Sequence, residues 1–274
     1  MKAGFVTCVQ FGLSCMEDIY EIGGKLEVII TLNDRKYTKK SGRIYLDDFS
    51  EQHRVDLIKV NSINDLEVLE AIKKYELEWL FIIGWGWIAG AEVIAAPKLG
   101  CIGWHPSKLP VGRGRASIPW AILMELEHTA VTLFKLDHGV DTGAIIKQLD
   151  IKLTPTETAT TLYEKVICIN KKLIQSAWKE LETNQFQLIE QENEKATYWA
   201  GRVPEGGLLE STMTVAEADR LIRATTKPFP GAYITNGDQK MIIWSAEINF
   251  TECITGPYLK MSDGYLLVTQ MESA

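Results

Sequence analysis

Apolar and polar positions along this chain fall into two textures. Through about residue 185, short apolar runs rich in β-branched and aromatic residues predict buried strands at Ala3–Val9, Leu26–Leu32, Trp79–Gly84, Cys101–Trp104 and Ala130–Leu136. Helical patterns separate them. Ser62 followed by Asp65 has capping-box spacing and predicts a helix reaching about Tyr75. Thr154-Pro155-Thr156-Glu157 places Thr at the N-cap, Pro at the first helical position and an acid at the third. The helix it predicts carries Leu162, Val166, Ile169, Leu173, Ala177 and Leu181 on one apolar face. Strands alternating with helices predict an α/β fold with a largely parallel sheet covered on both faces.

A polar stretch at Asn184–Lys195 ends this pattern. Beyond it, one short helix (Val215–Ala224) precedes strands at Ala232–Thr235, Lys240–Ala246 and Tyr265–Thr269, with Asn236-Gly237-Asp238 as a hairpin signal. A small, mainly β domain is expected from about residue 200.

The chain has 274 residues, 46% hydrophobic and 24% charged, as soluble globular proteins do. Its net charge of −7 argues against a nucleic-acid binder, which must neutralise phosphates with Lys and Arg. A local basic pocket for a small phosphorylated ligand stays open. Cys8, Cys15, Cys101, Cys168 and Cys253 are odd in number and never spaced as CxxC, which excludes a disulfide framework or zinc cage and leaves no metal site expected. They fit thiols in a reducing cytosol. The N-terminal Met-Lys-Ala-Gly-Phe-Val-Thr reads as a first strand, and no apolar run approaches the ~20 residues of a membrane helix. A soluble, cytoplasmic protein is the expectation. A basic run at Arg35, Lys36, Lys39, Lys40 and Arg43 reads as a solvated loop.

Gly84-Trp85-Gly86-Trp87-Ile88-Ala89-Gly90 superficially resembles a dinucleotide fingerprint. Its last spacing is too long, it follows a mid-chain strand, and indoles stand where backbone must approach a pyrophosphate. The loop still leaves a strand end, where α/β sheets bind ligands, so it either lines a site or simply packs. His105 lies at the end of another buried strand, ahead of Pro106, which biases it toward an extended backbone. Asp141 follows a third strand inside Asp137-His138-Gly139-Val140-Asp141-Thr142-Gly143, where glycines permit a sharp turn. His105 and Asp141 make a candidate acid–base pair. Taken singly, each also fits a structural role.

The run Cys101-Ile102-Gly103-Trp104-His105-Pro106-Ser107-Lys108-Leu109-Pro110, then Gly112-Arg113-Gly114-Arg115, then Asp137–Gly143 resembles the folate-dependent formyltransferases. Tyr198–Gly207, Arg223-Ala224 and Pro228–Tyr233 resemble the C-terminal domain of the tRNA and sugar enzymes of that family. The resemblance spans most of residues 80–245. It implies a Rossmann-like sheet domain, 1–195, followed by a small barrel-like β domain, 196–274. It also implies 10-formyltetrahydrofolate as formyl donor, its pterin against Trp87, Ile88, Ala89 and Gly90 and the loop Asp137, Gly139, Val140 and Asp141. The family's catalytic set is Asn, His and Asp. His105 and Asp141 match two of them, and Gly103 stands where the Asn belongs.

That Asn is thought to steady the carbonyl oxygen as the formyl carbon becomes tetrahedral. Losing one such donor costs about 10²–10³ in rate. Gly103 and His105 share a strand face, so Trp104 points away and Gly103 is expected to leave a gap for another side chain, a water or protonated His105. Otherwise the protein is slow, or it is a non-catalytic folate binder. Ser107, Lys108, Arg113 and Arg115 are candidate acceptor contacts, the cations for phosphates, or else parts of a solvated loop.

From residue 201 onward, six Lys and Arg face nine Asp and Glu, which disfavours tRNA. The glycinamide ribonucleotide enzymes lack a comparable C-terminal domain. The resemblance thus implies small-molecule partners, folate and a nucleotide-linked amino sugar, with no membrane, and it admits a homodimer. Methionyl-tRNA formyltransferase is the alternative.

Overall fold

The structure is a computed structural model that describes residues 1–35, 42–237, 239–250 and 256–273. The fold divides into two compact units. The first comprises Met1–Arg113, Ala130–Asp150 and Ile167–Thr197, and the second comprises Gly114–Thr129, Ile151–Val166 and Tyr198–Ala274.

In the first unit, β1 (Ala3–Val6), β2 (Val28–Leu32), β3 (Asp56–Val60), β4 (Trp79–Ile82) and β5 (Gly100–His105) run parallel. After the two-residue β6 (Arg113–Gly114), β7 (His128–Lys135) pairs antiparallel with β5, and β8 (Ile145–Lys152) completes the order β3-β2-β1-β4-β5-β7-β8. Every residue of β1 and β2 is buried, as expected of central parallel strands covered on both faces. On one face, Val6, Val28, Ile30 and Leu32 join Leu80, Val68 and Ile72 in one continuous core. This is the predicted Rossmann-like α/β architecture. The periodicity passed over β3 and β8, because both alternate apolar with Lys, Gln or Asp and bury little of their length.

The helices are α1 (Gln10–Glu21), α2 (Asp47–His53), α3 (Leu66–Lys74), α4 (Ala91–Ala95), α5 (Ser117–Leu123), α6 (Ala159–Glu182) and α7 (Val215–Thr225). Two starts differ from expectation. Asp65, not Ser62, is the N-cap residue of α3, and its carboxylate accepts the N–H groups of Asn61 and Ser62 instead of capping the helix. Helix α6 begins at Ala159, because Glu157 reaches back to the Thr154 N–H and closes a separate turn. Thr158 Oγ1 then accepts the Thr161 N–H. Along α6, Leu162, Val166, Leu173, Ala177 and Leu181 are buried, while Ile169 is half-buried.

In the second unit, β9 (Tyr198–Trp199) precedes α7, whose Thr214–Glu217 capping box is complete. A four-stranded antiparallel sheet follows: β10 (Ala232–Asn236), β11 (Gln239–Asn249), β12 (Tyr258–Lys260) and β13 (Tyr265–Ser273), in the order β10-β11-β13-β12. Val215, Ala218 and Ile222 of α7 share a core with Ile243, Leu266 and Val268. The C-terminal part is thus mainly β. Asn236 pairs with Gln239 across the predicted hairpin, and Asp238 lies outside the described residues. So do Lys36, Lys39 and Lys40 of the basic run and Cys253. Arg43 is no loosely solvated side chain, since it donates to the carbonyls of Leu32 and Ile44. Among the described residues no helix is long and apolar enough to cross a membrane, and no cluster of His, Cys, Asp and Glu could hold a metal ion.

The turn before α6 makes a pH prediction. Glu157 is 3% exposed. Burial raises its carboxyl pKa, but hydrogen bonds from Lys165, Thr161 and the Thr154 N–H outweigh burial and hold it below the ordinary carboxylate range. A native pKa below the unfolded one stabilises the fold above the unfolded value, and that stabilisation is lost as pH falls through the native value. Glu157→Gln is expected to lower the melting temperature at neutral pH. The gap from the parent chain should close as pH falls below the unfolded carboxyl value of 4.5. Thermal scans across acid pH check this, and a gap that persists in acid would refute a role for the charge.

Candidate active site

His105 ends β5 and is 6% exposed. Its Nε2 lies 2.8 Å from the Gly112 carbonyl oxygen. A carbonyl can only accept, so Nε2 carries a proton. The other ring edge, Nδ1, faces Asp141 Oδ2 at 3.6 Å. A proton taken up at Nδ1 therefore sits against a carboxylate, an arrangement suited to general acid–base chemistry.

Asp141 does not reach this place by extending a neighbouring parallel strand. Because β7 is antiparallel to β5, Lys135 lies opposite Ile102 and Thr132 opposite His105. The chain leaves β7 about 10 Å short of His105 and must double back along β5. Asp137 shapes the return, its Oδ1 accepting the Gly139 N–H at 3.0 Å and the Thr142 hydroxyl at 2.6 Å. A Cβ on Gly143 would fall 1.7 Å from the Lys135 carbonyl oxygen, so only glycine lets the loop close against the strand. Asp141 itself takes a left-handed backbone, with φ of 56°. Gln191 Nε2 donates to the carbonyls of Asp141 at 2.9 Å and Gly143 at 2.7 Å.

The space expected beside Gly103 is filled by side chains from elsewhere, and they are apolar. A Cβ there would lie 2.5 Å from Leu136 Cδ2 and 3.0 Å from Phe134 Cζ. Apolar side chains of Leu136 and Phe134 occupy the position to which the resemblance assigns an Asn. Trp104 packs its ring on Phe11 at 4.2 Å, as alternation along β5 predicts.

Arg113 also differs from expectation. It is 1% exposed, and its guanidinium donates to Gln191 Oε1 at 2.8 and 3.1 Å and to Asn193 Oδ1 at 2.8 Å. It is a buried brace, not a phosphate contact. Ser107 is fully buried, and its carbonyl accepts the Thr132 hydroxyl at 2.7 Å. Lys108 is exposed and pairs with Asp150 at 2.8 Å. Arg115 is exposed and belongs to the second unit.

The loop after β4 presents Trp87 and Ile88, 40% and 83% exposed, while Ala89 is buried. Asn64 fixes it, accepting the Gly90 N–H at 2.6 Å and donating to the Ile88 carbonyl at 3.2 Å. On the other loop, Asp137, Gly139 and Val140 are exposed. Gln191, Asn193 and Asn64 escaped the sequence reading, since isolated amides in polar stretches carry no pattern. Burial pushes the thiols of Cys15 and Cys101 up to about 12, so neither serves as a thiolate nucleophile near neutral pH.

The chain matches the formyl transferase family over residues 23–178 and the formyl transferase C-terminal domain over residues 203–272. It belongs to the formyl transferase family and is an enzyme of that class. It is 28% identical over 250 residues to the methionyl-tRNA formyltransferase of Agathobacter rectalis, covering 90% of this chain and 80% of that one. It is also 28% identical over 239 residues to the bifunctional polymyxin resistance protein ArnA of Wigglesworthia glossinidia brevipalpis, covering 87% of this chain and 36% of that one. The crystal structure of an N-formyltransferase from Helicobacter canadensis, in complex with folinic acid and dTDP-3-aminofucose, shares the fold. Its TM-score is 0.73 at 19% identity, over 99% of this chain and 100% of that one.

Packing around Gly103 sets a second prediction. Gly103→Asn alone must displace Leu136, and it is expected to cost about 1–3 kcal/mol of stability without faster transfer. Combined with Leu136→Ala, it is expected to raise kcat about tenfold or more by restoring a donor. Thermal melts and turnover of both variants check this. A single variant faster than the parent would show that Leu136 yields freely.

Proposed function

We propose that this formyltransferase moves the formyl group of 10-formyltetrahydrofolate onto the amine of a nucleotide-linked amino sugar. The observation that carries the chemistry is the buried His105 with its Nδ1 edge against Asp141. In this reading the acceptor amine attacks the formyl carbon and forms the new C–N bond. The His105–Asp141 edge receives the proton the amine gives up, the carbon–nitrogen bond to folate breaks, and that proton leaves with the folate nitrogen. Trp87, Ile88, Ala89 and Gly90, with the Asp137–Asp141 loop, receive the pterin. Residues 1–195 act as the catalytic domain and 196–274 as the smaller one, a division the two family matches support.

The acceptor rests on charge and on a relative. The acidic balance from residue 201 onward disfavours tRNA. The Helicobacter canadensis enzyme was solved with an amino sugar on a nucleotide. Exposed Lys108 is the candidate cation of the first unit to meet its phosphates. Transfer to methionyl-tRNA is the second reading, favoured by relatives such as that of Agathobacter rectalis.

Mass spectrometry of the protein incubated with 10-formyltetrahydrofolate and a panel of nucleotide-linked amino sugars, with charged initiator tRNA alongside, separates the readings. One formyl mass gained by a sugar is the expected result. Formylation of the tRNA alone would install the second reading. His105→Ala and Asp141→Asn are each expected to lower transfer by about 10²–10⁴ while the fold survives in circular dichroism. Near-normal turnover in either would remove that residue from the mechanism.

A further inference from the structure

The polar stretch that ends the first texture, continued to Thr197, contacts the Asp141 turn directly and reaches His105 through Gly112. Ile189 anchors it by reciprocal backbone hydrogen bonds with Ile145, 2.8 and 2.9 Å long. Gln191, 9% exposed, then holds the Asp141 turn through two carbonyls. Farther along, Thr197 Oγ1 accepts the Gly112 N–H at 2.9 Å, and the Thr197 carbonyl accepts the Arg113 N–H at 2.9 Å. The carbonyl of that same Gly112 meets His105 Nε2. One segment therefore braces the acid from one side and the imidazole from the other.

The orientation of the Gln191 amide follows from its partners. A guanidinium can only donate, so the amide oxygen must face Arg113 and the amide nitrogen must face the turn. Both protons of that nitrogen are then used on the Asp141 and Gly143 carbonyls. Arg113, buried and permanently charged, strengthens this chain of hydrogen bonds. Such support is needed where it falls, because a non-glycine residue in the left-handed region persists only when its surroundings hold it there.

We infer that Gln191 is a positioning residue for formyl transfer: oriented by Arg113, it fixes the Asp141 turn so that the carboxylate faces His105 Nδ1. This rests on the reading of His105 and Asp141 as the catalytic pair. Gln191→Glu is the informative variant, being nearly isosteric and keeping an oxygen for Arg113. It places a second oxygen against two carbonyls that need a donor, so the turn must move.

Two readouts test the inference on the full chain. In nitrogen-15 spectra of the imidazoles, with His105→Gln as the assignment control, Gln191→Glu should shift the His105 Nδ1 signal, and it needs no acceptor to do so. With 10-formyltetrahydrofolate and whichever panel acceptor the parent chain formylates, kcat should fall about 10- to 100-fold. KM for the acceptor should stay close to the parent value, and circular dichroism should show the fold intact. An unmoved His105 signal, an unchanged kcat, or a fall in kcat matched by a rise in the acceptor KM would overturn the inference. Should Gln191→Glu fail to fold, Gln191→Met, which removes both donors and adds no charge, decides by the same two readouts. Full turnover in His105→Ala and Asp141→Asn would instead overturn the catalytic reading itself, leaving the spectroscopic result to speak for the geometry alone.

Discussion

The antiparallel pairing of β7 with β5 is the constraint from which the rest of the site follows. Five parallel strands deliver His105 to a carboxyl edge, where α/β sheets place their chemistry. The next strand runs the other way, so its own end is at the wrong height. Asp141 can meet His105 only if the intervening loop folds back over the sheet. Everything unusual nearby serves that return: the Asp137 turn, the glycine pressed on Lys135, the left-handed backbone at Asp141 and the amide of Gln191.

Burying a guanidinium removes it from water at a cost of several kcal/mol unless hydrogen bonds replace the lost solvation. At Arg113 the replacement comes from side-chain amides, and the charge is spent on internal order instead of on a ligand. A similar substitution of packing for polarity occurs at Gly103. With no side chain of its own, Gly103 admits Leu136 and Phe134 onto β5, and the loop leaves the strand over an apolar floor.

Much of this was legible in the sequence, and what was not has identifiable causes. Central strands announce themselves because burial on both faces leaves unbroken apolar runs, so β1, β2, β4, β5 and β7 were readable. His105 and Asp141 were readable because proline and glycine mark the turns that carry them. Strands β3 and β8 were not, since half-buried strands with Lys and Gln look like loops. Strand direction has no local signature, so the sequence placed Asp141 at a strand end without revealing the reversal. At Gly103 the sequence left open what fills the glycine's space, because the filling side chains, Phe134 and Leu136, come from distant positions in the chain. Gln191 was invisible because its importance lies in partners distant along the chain. At α6 the expected cap chemistry was present at Thr154 and Glu157, but it closed a turn, and a second Thr pair started the helix.

Asn64 has a consequence of a different kind. By tying the Gly90 N–H and the Ile88 carbonyl to one side chain, it fixes the loop that holds Trp87 and Ile88 out toward solvent. Ordering a residue costs about 1–2 kcal/mol of backbone entropy, normally paid when a ligand arrives. Here that loss is already incurred on folding. A flat ring settling on the loop meets a surface with little freedom left to lose, so its affinity is set by contact and desolvation.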